Sequence, residues 1–366
     1  IVNNCDVPTA IASIPSNGRF LYSAISQFTP QDAICFFENL GVPVKTERGN
    51  RVFPQSDLAS DVVDALKSYC TQNGVQIRQA VVTDLRIQEQ TVTGVRCEDG
   101  TEYFSKHVVI ACGGMSYPAT GSTGDGYRLA QQAGHTITEL RPSLVSLVAN
   151  GKDCPALQGL SLKNVAIHVI DTKQKKEIYD DFGEMMFTHY GVTGPMILSA
   201  SSHMRNMEPN RYQISIDLKP ALSLEQLDTR LQKDFAENQN KDFINSLGAL
   251  LPRKLIPIMV AKSGIAPNQK CNQITKEQRR CFAQELKGFN VMIKGFRPID
   301  EAIITSGGVS VKEISPKTME SKLVKGLYFA GEVIDADAYT GGFNLQIAFS
   351  TGYLAATAIA QAQWEI

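Results

Sequence analysis

Apolar residues recur first at helical spacing. Residues 20–41 read as helical, with Thr29 placed to cap a second helix, Pro30 in its first turn and Gly41 ending it. Ser56 is placed to cap a further helix, in which Leu58, Val62, Leu66 and Tyr69 share a face and Asn73-Gly74 ends the pattern. The period then falls to two. Residues 75–87, 91–97 and 101–104 are predicted strands, with Asp99-Gly100 as a tight turn between two of them. Residues 108–111 form a short unbroken apolar run, the pattern of a buried parallel strand, and lead straight into Cys112-Gly113-Gly114.

The middle of the chain changes character twice. From Arg141 to Pro220 it is strand-rich, most clearly at 165–170 and 212–218. Residues 223–288 are rich in Lys, Glu, Gln and Leu, with Ser223 and Thr275 placed as caps, and predict a helical insert. Strands resume after Phe289. The last apolar strand, Leu327-Tyr328-Phe329-Ala330, ends at Gly331-Glu332, and a helix of small residues starts near Phe343.

Composition narrows the class. A chain of 366 residues is long enough for two or three domains, and 43% hydrophobic with 20% charged residues is ordinary for a soluble globular protein. Lys and Arg number 36 against 37 Asp and Glu, so nothing in the charge argues for nucleic acid or an anionic membrane as the main partner; the expected partner is a small-molecule substrate, with no nucleic acid and no membrane. The apolar run 255–261 is stopped by Lys262, far short of a membrane span. The 8 cysteines form no C-x-x-C and no zinc spacing, so no metal is expected; they read as reduced, mostly buried thiols of a cytoplasmic protein. The chain opens on Ile1-Val2-Asn3-Asn4 without Met or signal peptide, and its start reads as cut.

Two segments carry chemistry. In the first, the strand ending at Ile110-Ala111 is followed by Gly113-Gly114 and by a second glycine-rich loop, Ser116 to Tyr127, that opens a helix. In the second, Gly331-Glu332 stands at the carboxyl end of a buried strand, where open α/β sheets bind ligands. There Thr340-Gly341-Gly342-Phe343-Asn344-Leu345 opens a helix whose first-turn N–H groups favour partial negative charge. Each alone is equally a plain strand–loop–helix. His189, in a Gly/Pro-bounded turn beside Tyr190, is a candidate acid or base, or else a structural histidine bonding a carbonyl. His135, after Gly134, reads as a cap or packing residue.

Taken together the two segments resemble the FAD-binding segments of two-dinucleotide-domain flavoproteins. More narrowly, the chain resembles the BaiN/YhiN-type family of bacterial NAD(P)/FAD-dependent oxidoreductases, which includes aminoacetone-oxidase-like proteins. Arg51-Val52-Phe53-Pro54, Ser116 to Tyr127 with Gly134-His135, Phe187-Thr188-His189-Tyr190-Gly191-Val192-Thr193-Gly194-Pro195 and Thr318-Met319-Glu320-Ser321-Lys322 carry the likeness. Cys112 stands where the family commonly has Thr. The family's opening G-x-G-x-x-G unit, roughly 40–50 residues, is absent.

The resemblance implies an α/β fold: an FAD-binding Rossmann-like domain of the glutathione-reductase type, with an inserted β-rich domain and a helical subdomain. The expected bounds are 1–143 and 313–366 for the FAD domain, 144–220 and 289–312 for the β-rich domain, and 221–288 for the helical part. It places Ala111, Gly113 and Gly114 at the adenosine-diphosphate half of FAD, with the Val82 backbone at the adenine. Gly331 and Glu332 face the ribityl–pyrophosphate stretch, Gly341, Gly342, Phe343, Asn344 and Leu345 the flavin edge, and Asn3 and Asn4 lie near the ring. The implied activity is hydride transfer between a small organic substrate and the flavin, with NAD(P)H or O₂ completing the cycle. An aminoacetone-type oxidase and a non-catalytic flavin-binding scaffold are the alternatives.

Overall fold

The computed structural model describes residues 1–364, the last two by their backbone alone. It divides into two units, Ile1–Ser143 with Pro298–Ile366, and Leu144–Arg297. Among the described residues no helix is long and apolar enough to cross a membrane.

The first unit opens with helices. Pro30–Asn39 begins at a capping box: the Asp32 N–H donates to Thr29 Oγ1 at 3.2 Å and the Thr29 N–H to Asp32 Oδ2 at 2.8 Å, which satisfies two donors that a helix start leaves open. β1 (Val44–Glu47) and β2 (Arg51–Pro54) make a hairpin. The helix Ala59–Gln72 follows. Ser56 does not cap it: Leu58 holds that position, and the Ser56 hydroxyl accepts the Leu58 N–H instead. None of this helix's residues is buried.

β3 (Val82–Gln88), β4 (Thr91–Cys97) and β5 (Glu102–Phe104) form an antiparallel meander. The expected strand from Val75 starts only at Val82: the Val75 N–H turns back to Cys70 O at 2.9 Å, Ile77 is exposed, and Val81 contributes only its carbonyl, which accepts the Glu98 N–H at 2.9 Å. β6 (Val108–Ile110) follows, and β7 (Arg141–Ser143) closes this stretch.

The second unit carries β8 (Leu147–Ala149), β9 (Ser161–Asp171), β10 (Lys176–Phe187), β11 (Gly191–Thr193), β12 (Tyr212–Asp217) and β13 (Phe289–Phe296). They close into an antiparallel barrel in the order β10-β11-β8-β13-β12-β9. Val165, Ile167 and Val169, with Ile214, Ile216, Val291 and Ile293, alternate along their strands and fill the interior. β11 closes the barrel through Met186 and Phe187 of β10, so the rest of β10 is paired on its β9 side alone. Between β12 and β13 lies the helical insert, whose helices Leu224–Glu237 and Lys276–Lys287 each start at a capping box, Ser223 with Gln226 and Thr275 with Gln278. Leu227, Leu231, Phe243 and Phe282 share one core with the barrel strands, so the insert and the barrel form one unit.

The chain re-enters the first unit at Pro298, not at 313. The reason is β14 (Ile304–Ser306), which pairs antiparallel with β7 through Ile304 and Ser143, Thr305 and Pro142, Ser306 and Arg141. β15 (Leu327–Phe329) lies parallel to β6, Leu327 beside Val108 and Phe329 beside Ile110, and the helix Phe343–Trp364 follows. β15 is wholly buried, whereas Val109 of β6 is 41% exposed. All 8 cysteines are free thiols; Cys97, Cys154 and Cys271 are buried, but Cys35, Cys112 and Cys281 are exposed. The expectation of mostly buried thiols fails because Cys35 and Cys281 fall on the solvent faces of their helices and Cys112 on the loop after β6.

Candidate dinucleotide and flavin site

β6 and β15 deliver their segments to the same end of the sheet. The Ala330 N–H donates to Ile110 O at 3.0 Å, the last rung of the parallel pair. Beyond it the chain turns at Gly113 (φ +75°) on one side and Gly331 (φ +75°) on the other, a left-handed conformation that favours glycine. The Gly331 N–H donates to Thr351 Oγ1 at 2.9 Å, which ties the turn to the helix Phe343–Trp364.

Glu332 stands next. Its Oε1 accepts the Thr305 N–H at 2.8 Å. Thr305 Oγ1 accepts the Met115 N–H at 2.8 Å and lies 3.0 Å from Ser116 Oγ. Gly114 passes so close that a Cβ there would sit 2.5 Å from Thr305 Oγ1 and 2.6 Å from Glu332 Oε1. Burial pushes the Glu332 carboxyl above the usual carboxylate range; the Thr305 hydrogen bonds offset part of this and the Asp337 charge adds to it. Asp337 is 3% exposed and accepts hydroxyls from Ser143 at 3.1 Å and Ser306 at 3.0 Å. Tyr127 is buried; burial first, then the Glu332 charge, raises the pKa of its hydroxyl, and Thr305, the one side chain near enough to bond it, pulls the other way without reaching full hydrogen-bond geometry.

The third element is the turn before the last helix. Gly341 (φ +115°) and Gly342 (φ +99°) both need glycine's freedom. The Asn3 amide donates to Gly341 O at 3.1 Å and Gly49 O at 3.0 Å. What crowds Gly342 is the protein itself: a Cβ there would lie 2.4 Å from the Val2 carbonyl carbon. Asn344 fastens its own loop, accepting the Ala338 N–H and donating to Ala338 O, each at 2.9 Å.

The structure thus forms two groups: Gly113, Gly114, Gly331 and Glu332 at the strand ends beside Thr305, and Asn3 with Gly341 and Gly342 at the start of the last helix, which Phe343 to Leu345 open. Asn4 is turned to Gln31 and Thr46. Val82 lies in the meander, where its carbonyl accepts Arg128 Nη2 at 2.9 Å; Ala111 is exposed on the loop. His189 belongs to the second unit, exposed at the turn between β10 and β11. Sequence reasoning missed Thr305, Asp337, Ser116 and Tyr127. The last two sit in the glycine-rich stretch already singled out, whereas nothing local marks Thr305.

A buried hydroxyl beside a desolvated carboxylate, with glycines at both strand ends, fits a bound dinucleotide with polar groups to offer. Strand-end glycines beside a buried carboxylate define a Rossmann-type domain with an inserted barrel. The chain belongs to the HI0933-like protein Rossmann-domain family, whose sequence profile matches residues 1–358. It is 29% identical over 348 residues to the 3-dehydro-bile acid delta(4,6)-reductase of Clostridium scindens, covering 94% of this chain and 83% of that protein. It is 31% identical over 353 residues to the ribosomal RNA dihydrouridine synthase of Haemophilus influenzae, covering 95% of this chain and 84% of that one. Among solved structures, GidA of Aquifex aeolicus is 12% identical with a TM-score of 0.35; the alignment covers 92% of this chain and 55% of GidA.

Proposed function

We propose that the protein is an FAD-dependent reductase of a carbon–carbon double bond conjugated to a carbonyl. The observation that carries this reading is the paired sheet end of β6 and β15, with Glu332 desolvated between Gly114 and Thr305. Family membership supports it. The activities for which the two relatives are named share one chemistry: a 3-dehydro delta(4,6) steroid and a uracil ring each hold a C=C conjugated to a carbonyl, and each product has that bond saturated.

The bound flavin would supply hydride to the electrophilic carbon of that bond. The chain's residues do the rest. Gly113, Gly114 and the Val82 backbone would hold the adenosine half, and the Tyr127 hydroxyl and Glu332 carboxylate would meet polar groups of the cofactor's middle. The first-turn N–H groups of Phe343, Asn344 and Leu345 would supply positive potential to the flavin edge. Asn3 keeps the Gly341 turn in place. His189 is the candidate acid for the proton that completes saturation, and NAD(P)H is the candidate electron donor.

The test is anaerobic. The purified holo-protein is reduced chemically, then mixed with a conjugated enone or with uridine-containing RNA. Return of the flavin's oxidised absorption together with a saturated product is expected. Peroxide release on addition of an amine such as aminoacetone, with no response to either acceptor, overturns the reading in favour of an oxidase. No colour change under any condition leaves a flavin-binding scaffold.

A further inference from the structure

Thr305 stands at the centre of β14, 1% exposed, and its backbone is fixed on both sides. It pairs with Pro142 of β7. After it the chain turns at Gly307 (φ +93°) and Gly308 (φ +147°), where a Cβ would lie 2.2 Å from Glu139 O and 2.5 Å from Val333 O. The Gly308 N–H donates to Thr138 Oγ1 at 3.0 Å, and the Thr138 N–H donates to Gly308 O at 2.8 Å. The Val309 N–H donates to Val333 O at 2.9 Å, which fastens the turn to the residue after Glu332. None of these contacts uses the Thr305 side chain, so the backbone there is held whatever that side chain does.

The two polar groups of Thr305 serve different partners. Its N–H donates to Glu332 Oε1 at 2.8 Å. Its hydroxyl oxygen accepts the Met115 N–H at 2.8 Å and lies 3.0 Å from the oxygen of the buried Ser116 hydroxyl. The hydroxyl thus grips the stretch directly after Gly113-Gly114, across 190 residues of chain. Gly114 is a glycine because Thr305 passes so near: a Cβ there would lie 2.8 Å from Thr305 Cβ as well as 2.5 Å from its hydroxyl oxygen. Without that oxygen the Met115 N–H loses its acceptor, and the loop has to move to find another.

The turn before the last helix is fastened by other groups, Asn3 on Gly341 O and Asn344 on both polar atoms of the Ala338 backbone. A change confined to the Thr305 hydroxyl therefore reaches one of the two groups of site residues directly and leaves the fastenings of the other in place.

We propose that Thr305 is a positioning residue for the dinucleotide: its hydroxyl sets the Gly113-Gly114 loop and its N–H sets Glu332, so that the adenosine half and the middle of the cofactor meet one prearranged surface. The inference rests on the placement of FAD proposed for this site. Two adjacent glycines leave a loop many conformations, and ordering such a loop at the moment of binding lowers affinity. The Thr305 hydroxyl orders it beforehand. The benefit falls to ligands that carry an adenosine diphosphate and not to those that carry the flavin end alone.

Titration of the flavin-free full-length protein with FAD, FMN and ADP-ribose, followed by flavin fluorescence and by calorimetry, tests it. Thr305→Val keeps the branched shape and the N–H and removes the hydroxyl. It should weaken FAD and ADP-ribose about tenfold, the size of one lost buried hydrogen bond, and FMN by no more than about twofold. Thr305→Ser returns the hydroxyl without the methyl group and should restore the preference for FAD and ADP-ribose. Thr305→Ala set against Thr305→Ser isolates the hydroxyl in a smaller side chain and carries the test if Thr305→Val does not fold. An equal loss for all three ligands in a folded variant makes Thr305 a packing residue and overturns the proposal, as does wild-type affinity for FAD in Thr305→Val. Those results leave FAD binding by the wild type intact, whereas a wild-type protein that binds neither FAD nor ADP-ribose overturns the cofactor reading itself and the positioning role with it.

Discussion

His135 Nε2 lies 2.7 Å from Ser321 Oγ, which joins two segments 186 residues apart. Ser321 Oγ also accepts the N–H groups of Leu323 and Val324, at 3.0 and 2.9 Å, so its own proton is free for the imidazole. His135 Nδ1 lies 3.2 Å from Glu313 Oε2, which assigns the neutral ring its proton on Nδ1. The ring packs edge-on against Phe329 of β15 at 4.8 Å. His135 is a staple between the helix Asp125–Gln132 and the strand that leads to Glu332.

This staple predicts a pH dependence. Burial lowers the His135 pKa, although Glu313 works against the shift. The unfolded chain therefore binds this proton more readily than the folded one. Its stabilising contribution is present above about 6.5 and is lost as pH falls below that value toward the folded pKa. His135→Phe keeps the contact with Phe329, removes the titration and leaves the Ser321 hydroxyl without its acceptor. Thermal unfolding should show a loss of about 1–3 kcal/mol near neutrality and a flatter midpoint–pH curve from neutral to mildly acidic. An unchanged curve in the variant would mean that another group sets it.

Gly342→Val and Gly352→Ala should have opposite effects. A side chain at 342 meets the Val2 backbone at 2.4 Å and needs φ +99°, and backbone cannot step aside as a flexible side chain does. The expected cost is about 3 kcal/mol or more, with loss of bound flavin. At Gly352, inside the last helix, a Cβ meets nothing within 4 Å, so alanine should stabilise by up to about 1 kcal/mol. Melting curves of the two variants, with flavin absorbance per chain, decide the point.

Glu332→Gln separates stability from binding. The carboxyl's folded pKa is raised by burial, so its favourable contribution exists at acid pH and is lost as pH rises through that pKa. At neutral pH the glutamine keeps an acceptor for the Thr305 N–H and removes a desolvated charge. The flavin-free variant should melt higher than wild type at neutral pH, and its FAD affinity should fall about tenfold through the loss of charge-assisted hydrogen bonds. Isothermal titration with FAD, beside melts of the flavin-free proteins, measures both; a variant with wild-type affinity would show that Glu332 does not touch the cofactor.

Thr275→Ala should cost about 1 kcal/mol by removing the acceptor of the Gln278 N–H, now 3.2 Å from Thr275 Oγ1. The change lies in the second unit, on the helix Lys276–Lys287. Unfolding in urea should register it while flavin content stays at the wild-type level.

Local chemistry was legible in the chain and long-range pairing was not. Thr29, Ser223 and Thr275 announce their helices because a cap and its N3 partner stand three residues apart. The glycines after Ile110 and around 331 and 341 announce strand ends because their backbone requirement belongs to the residue itself. Ser56 misled because a hydroxyl bonds whichever N–H the turn presents, and here that was Leu58. Closure of the barrel depends on β8, three residues long, meeting β11 and β13. The return at Pro298 depends on β14 finding β7 across the whole insert. Thr305 reaches Met115 over 190 residues, and Arg297 reaches Tyr190 over more than a hundred. No spacing along the chain encodes such partners, because side-chain direction and burial are set only when separate strands pack.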